Sequence, residues 1–297
     1  MKQKTNLIGY IYLLPYLTVY CVFIGIPLFS GIYISMHRWS LTHGREAFVG
    51  LKYYLRLFSG DFVRGPYFWN SLWVTLQFVL YFVPILLIIS IGLALLIYQC
   101  KNKTLRAFGQ FSFLVPTAIS ISVIAILWRV IFGYDGGVLN FVLSLAGISP
   151  KPWLTDLPWA WFSIILPTLW MTCGWNMILF IVGLQRIPDS LYEAARVDGA
   201  NVWQSFRHIT LPGLKPITIF IVVTQIIGAF NLFAQPQLLT SGGPGIATTP
   251  VMLFLYNEAY QGRYARLGSA IAMGFVTGVI VIAIVLVIYL VFSRKTD

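Results

Sequence analysis

Several stretches of this chain run well past the roughly 20 residues a helix needs to cross a bilayer, and they do so without meeting a charge. Lipid offers backbone N–H and C=O groups no water to bond with. A spanning segment is therefore a helix or a strand of a closed barrel. The apolar–polar alternation of barrel strands is missing, so helices are expected. Composition agrees: 58% of the 297 residues are hydrophobic and 10% are charged, whereas soluble domains carry about a quarter.

The runs fall at 7–34, 70–98, 108–132, 160–184, 217–236 and 267–292. They predict an all-α integral membrane protein with six transmembrane helices, forming a single domain over 1–297. The first run is too long for a signal-peptide core and no small-x-small site closes it, so it reads as a retained helix. An even number of spans puts both termini on one side. With the termini inside, the inner segments hold Lys2, Lys4, Lys101, Lys103, Arg106, Arg186, Arg196, Arg207, Lys215, Arg294 and Lys295. The density of positive charge favours that orientation. Arg38, Arg45, Lys52, Arg56 and Arg64 crowd the first outer segment, which is long enough to form an amphipathic piece lying on the membrane.

The net charge of +11 is spread between the apolar runs rather than gathered in a patch, which speaks for topology and against nucleic acid. Cys21, Cys100 and Cys173 lack CxxC or metal-ligand spacing, and His37, His43 and His208 are scattered. No metal site and no catalytic residues are expected. Pro84, Pro116 and Pro167 interrupt the second, third and fourth spans, so neighbouring helices must satisfy the freed carbonyls. Gly274 and Gly278 give the last span a small-residue face, suited to internal packing or to a dimer contact.

The polar loop 185–216 carries the most specific local chemistry. Ser190 with Glu193 has capping-box spacing, so a short helix should start there and run to about Asp198, where Gly199 supplies a positive φ. Asn201 with Gln204 repeats the box, and a second helix should run toward Thr210 before Pro212 stops it. A structured loop of this length suits docking to a soluble partner; a plain connector needs a handful of residues. On local chemistry alone, Glu193 either contacts such a partner or only caps its helix.

The string Glu193-Ala194-Ala195, Gly199, Ile209 and Leu211-Pro212 resembles the EAA motif of permease subunits in binding-protein-dependent ABC importers, and every fixed position is filled. Gly183-Leu184-Gln185-Arg186-Ile187-Pro188, Asp198-Gly199-Ala200-Asn201 and Leu239-Thr240-Ser241-Gly242-Gly243-Pro244 resemble the carbohydrate branch, which includes the MalF and UgpA permeases. The resemblance implies a MetI/MalF-like helical bundle in a bacterial or archaeal cytoplasmic membrane. It implies coupling helices on the cytoplasmic side, with Glu193 pairing a basic residue of an ATP-binding subunit. Ala194 and Ala195 would give the close-approach face and Gly199 the hinge, with Asp198, Leu211 and Pro212 completing the motif. The implied partners are a second homologous permease, two ATP-binding subunits and an extracellular or periplasmic sugar-binding protein. No GxxxxGK[ST] stretch occurs in the chain, so ATP and Mg are expected on partner subunits and no cofactor on this one.

None of the nine acidic residues falls inside a predicted span. An ion-coupled carrier usually keeps a titratable group there, so a neutral cargo moved by an external engine is favoured over a stand-alone secondary transporter or facilitator. A lipid-modifying enzyme would need clustered acids or histidines at a membrane face. Polar groups within the spans are amides and hydroxyls. Thr168, Thr172 and Asn176 recur every fourth residue on one face of the fourth span, with Gln225, Asn231 and Gln235 on the fifth. Thr172 and Gln225 should lie at similar depth, with Trp170, Trp175, Phe230 and Phe233 offering aromatic faces to sugar C–H groups. The same amides also suit interhelical packing.

Overall fold

The computed structural model describes residues 7–40, 44–59, 65–261 and 266–293. Lys2, Lys4, His43, Arg64, Arg294 and Lys295, and with them both termini, lie outside the described residues. Four helices are long and apolar enough to cross a membrane, Tyr12–Ser35, Gly65–Gln99, Trp159–Leu184 and Leu267–Phe292. The number rises to six if each of two bent helix pairs counts as one span.

Contacts divide the chain into two compact units. One joins the chain up to Phe68 with Phe254–Val279; the other joins Trp69–Leu253 with Ile280–Asp297.

In the first unit the helical run passes through a π turn at Cys21–Gly25 before Pro27. There the Ile26 N–H reaches back five residues to the Cys21 carbonyl, which widens the turn just ahead of a residue that has no N–H and crowds the preceding turn. After Ser35 the chain forms an antiparallel hairpin, His37–Ser40 with Gly44–Phe48, bulged between Arg38 and Trp39. The sequence pattern predicts no strands here. The hairpin exists because the last long helix starts against it: a Cβ on Gly268 would collide with the His37 carbonyl, and Ser40 bridges Arg266. Glu258 is buried in the short helix Val251–Tyr260 and accepts a hydrogen bond from Ser269 Oγ at 3.0 Å. Burial pushes the Tyr53 phenol above its usual pKa, against the lowering effect of the Arg38 and Arg266 guanidiniums.

In the second unit, Gly65–Gln99, Trp159–Leu184 and Lys215–Phe230 share two apolar clusters. One centres on Phe78, Phe82, Leu86, Ile164, Leu169 and Ala229; the other centres on Ala94, Met177, Phe180, Leu184, Leu214 and Ile221. Pro84 and Pro167 sit inside continuous helices.

The third apolar run, expected as one helix over 108–132, is Lys103–Leu114, a 3₁₀ turn Val115–Ala118 and then Ile121–Ile131, bent by 99°. Asn102 caps its start, its side chain accepting from Thr104 N and Leu105 N at 2.9 and 3.2 Å. Pro116 sits in the 3₁₀ turn, where its missing N–H costs least. The fifth run, expected over 217–236, is a helix only to Phe230; the short helix Ala234–Leu239 follows and packs against Ile121–Ile131 and Trp159–Leu184. Two further helices, Val138–Leu145 and Val251–Tyr260, lie outside the six apolar runs. The first is held by Asn140, whose side-chain Oδ1 accepts from Lys151 N and Trp153 Nε1. The second starts where Val251 N donates to Thr75 Oγ1 at 2.9 Å. The Gly-rich stretch is a turn: Ser241, Gly242 and Gly245 have positive φ, and Thr249 Oγ1 donates to the Gly242 carbonyl.

Candidate functional site

The loop between the fourth and fifth spans is an ordered foot. Ile187 and Leu214 are buried in the same cluster as Phe180 and Leu184, which roots both of its ends. Pro188, extended at ψ 133°, starts the helix Asp189–Val197. The expected Ser190 cap is not made. Asp189 is already helical, so Ser190 falls inside the first turn and no side chain caps this end. Asp189 in the first turn and Arg196 in the last complement the helix dipole instead.

The helix ends as local chemistry requires. Gly199 has φ 76°, its N–H donates to the Arg196 carbonyl at 3.2 Å, and Ala200 N donates to the Ala195 carbonyl at 2.9 Å, which is the Schellman pattern. Two residues on, the second lock forms: Gln204 N donates to Asn201 Oδ1 at 2.9 Å while Asn201 N donates to Gln204 Oε1 at 2.7 Å. Tyr192 and Thr210 join the two helices through their hydroxyls at 2.9 Å.

Pro212 does not stop the second helix. A π turn at Phe206–Thr210 lets the Leu211 N–H reach the Phe206 carbonyl, and the helical run carries Leu211 and Pro212 on to Gly213. The solution is the one seen before Pro27. From Leu214 the chain turns by 62° into Lys215–Phe230.

Glu193, Ala194 and Asp198 are exposed, and Ala195 is half-buried. Among the described residues the Glu193 carboxylate has no hydrogen bond or ion pair, so it does not serve as a cap. Around it Val197 and Val202 are 88 and 86% exposed and Trp203 is 64% exposed. These three were missed by the sequence reading; their signal was apolar side chains standing in an otherwise polar loop on either side of Gly199. A cavity of about 320 Å³ lies within the foot itself, lined by Pro188, Leu191, His208 and Pro212 among others.

The polar stripe of the fourth span is bonded largely to its own helix. Thr168 Oγ1 donates to the Ile164 carbonyl, Thr172 Oγ1 to the Thr168 carbonyl and Asn176 Nδ2 to the Thr172 carbonyl, at 2.7, 2.7 and 2.8 Å. Gln225 Nε2 reaches Asn176 Oδ1 at 3.4 Å. The partner of Gln225 is thus Asn176, one turn from Thr172. Thr168 and Asn176 are buried within this chain, as is Phe230, while Thr172 is half-buried. Trp175 and Asn231 are exposed, and Gln235 is half-buried in the helix after the break. Asn231 Nδ2 donates to the Ile227 carbonyl at 2.9 Å, closing the end of the fifth span. Trp170 meets Trp128 edge to face at 6.1 Å, a pairing not anticipated from the sequence.

The family profile described as "Binding-protein-dependent transport system inner membrane component" matches residues 87–296, the entire foot included. The chain belongs to that family. This permease is 38% identical over 275 residues to the trehalose/maltose transport system permease protein MalF of Thermococcus litoralis, covering 92% of this chain and 90% of the relative. It is 30% identical to the arabinooligosaccharides transport system permease protein AraP of Bacillus subtilis, covering 94% and 86%. A crystal structure of a bacterial alginate ABC transporter, in complex with alginate pentasaccharide-bound periplasmic protein, matches at TM-score 0.81 and 26% identity over 99% of this chain and 96% of that chain. The permease is thus the membrane-embedded component of a binding-protein-dependent importer.

Proposed function

We propose that this permease moves a neutral sugar or oligosaccharide across the cytoplasmic membrane of a bacterium or archaeon, driven by ATP that separate subunits hydrolyse. The observation that carries the reading is the foot: an exposed helix bearing Glu193, locked at Gly199 and Asn201 to a second helical rod that turns directly into the fifth span.

Both termini and the foot face the cytoplasm. Glu193 pairs with a cation on an ATP-binding subunit, Ala194 and Ala195 let the two surfaces approach, and Val197, Val202 and Trp203 fill the cleft around them. Asp198 and Gly199 set the angle of the tip, while Leu211 and Pro212 shape the base. The complete importer pairs this chain with a second, homologous permease and two ATP-binding subunits, which hold ATP and Mg. A binding protein delivers sugar from outside. The names of the relatives support a saccharide cargo.

Along the path, Trp175 offers a ring face to sugar C–H groups, and Thr172, Asn231 and Gln235 offer hydrogen bonds to hydroxyls. Thr168, Asn176 and Gln225 hold the wall together behind them. A neutral cargo follows from amides and hydroxyls with no carboxylate or cation on this face.

The test is Glu193→Lys in the assembled importer supplied with its binding protein. Placing a cation against the cation of the ATPase should lower coupled uptake by tenfold or more, on the order of a lost charge pair turned repulsive, while membrane insertion stays normal. Coupled uptake at the unsubstituted rate would remove Glu193 from the interface and the reading with it.

A further inference from the structure

The helix Lys52–Ser59 is joined to the first span by a single hairpin. At about 100° per residue its side chains divide into three sectors. Tyr53, Tyr54 and Leu57 form the sector turned into the protein: Leu57 is buried, and the Tyr54 hydroxyl donates to Ser35 Oγ, at the end of the first span, over 2.7 Å. Leu51, just ahead of the helix, joins Leu55 and Phe58 in a second sector, and the three are 56, 68 and 68% exposed. Lys52 and Arg56, one turn apart, make the third and are exposed as well. The ion pair described in this unit joins Arg38 to Glu46 and leaves both of these cations aside.

We propose that this helix lies flat in the membrane surface and binds anionic phospholipid headgroups through Lys52 and Arg56. The Tyr54–Ser35 bond fixes its height at the end of a span, where hydrocarbon gives way to headgroups. At that depth Leu51, Leu55 and Phe58 enter the apolar boundary, which a soluble partner does not reach. The cation sector sits beside the apolar one, so the long stems of Lys52 and Arg56 follow the apolar surface and their charges emerge among phosphates. Arg45 and Arg266 add positive charge to the same unit, against the exposed acid Glu46. Charge complementarity therefore selects anionic over zwitterionic lipid. This inference rests on the chain being membrane-embedded and is independent of the cargo and of the ATPase contact.

The test uses the assembled importer with Cys21, Cys100 and Cys173 replaced by alanine and Leu55→Cys carrying an environment-sensitive fluorophore. It is reconstituted in phosphatidylcholine vesicles containing brominated phosphatidylcholine or brominated phosphatidylglycerol. The expected result is blue-shifted emission quenched by both lipids, several-fold more strongly by the phosphatidylglycerol at equal mole fraction. Lys52→Gln with Arg56→Gln should erase the difference and keep the quenching. Water-like, unquenched emission overturns the proposal. So does equal quenching in the chain with both cations, or a probe shielded only after the binding protein is added. Lipid analysis of the purified, unlabelled importer gives a second reading that needs no cysteine replacement: the double substitution should lower the bound phosphatidylglycerol relative to phosphatidylcholine, and an unchanged ratio overturns the assignment.

Discussion

At φ 76°, Gly199 occupies a conformation that a side chain makes costly, and the two carbonyls it helps to satisfy belong to the helix that carries Glu193. Gly199→Ala should cost the foot about 1–2 kcal/mol. Hydrogen exchange checks this: the Gly199 and Ala200 amides should exchange about tenfold faster while those in the fourth span stay unchanged. Exchange at the original rate would mean that the Schellman bonds do not hold the tip. These residues were legible in the sequence because their chemistry is local. A glycine after a helical run and an Asn–Gln pair at capping spacing need no tertiary partner to specify them. Ser190 with Glu193 had the same spacing, and there the reading failed because Pro188 starts the helix earlier and moves Ser190 past the cap position.

Among the elements, the broken third span is the most consequential departure from the sequence. Its first half lies so close to the fourth span that a Cβ on Gly174 would collide with the Phe113 carbonyl. Because the obstacle is backbone, the two helices must part to admit a side chain. Gly174→Val is expected to lower the thermal midpoint of the purified importer by several degrees, in line with overpacking costs of about 1–3 kcal/mol. An unchanged midpoint would show that the contact is dispensable.

The second, fourth and sixth runs were readable because long apolar stretches fix the existence of a span. Apolarity carries no information on axis direction, so the 99° bend after Val115–Ala118 and the helix end at Phe230 stayed hidden. The hairpin and the helix Val251–Tyr260 were hidden for a related reason. Each depends on a contact remote in sequence, Gly268 against His37 in one case and Thr75 with Val251 in the other. Thr168, Thr172 and Asn176 follow one another a turn apart, as their spacing dictates, yet the inward turn of Thr168 and Asn176 is set by the packing of the fifth span against the fourth.

For the whole molecule, the reading as one component of a larger importer makes a direct prediction. Vesicles holding this chain alone should show no sugar flux above that of empty vesicles, with or without a proton gradient. Vesicles holding the full set of subunits, binding protein and ATP should accumulate sugar, and flux by the isolated chain would restore the stand-alone carrier. The two π turns also bear on how such an assembly works. Ahead of Pro212, the Phe206–Thr210 turn keeps the rod from Val202 to Gly213 intact up to the 62° corner at Leu214, and Leu214 is clamped in the core. A rigid arm pivoting on a fixed corner behaves as a bell crank: a sideways pull on its outer tip is returned as rotation of the membrane arm, with no slack segment in which the stroke could be lost.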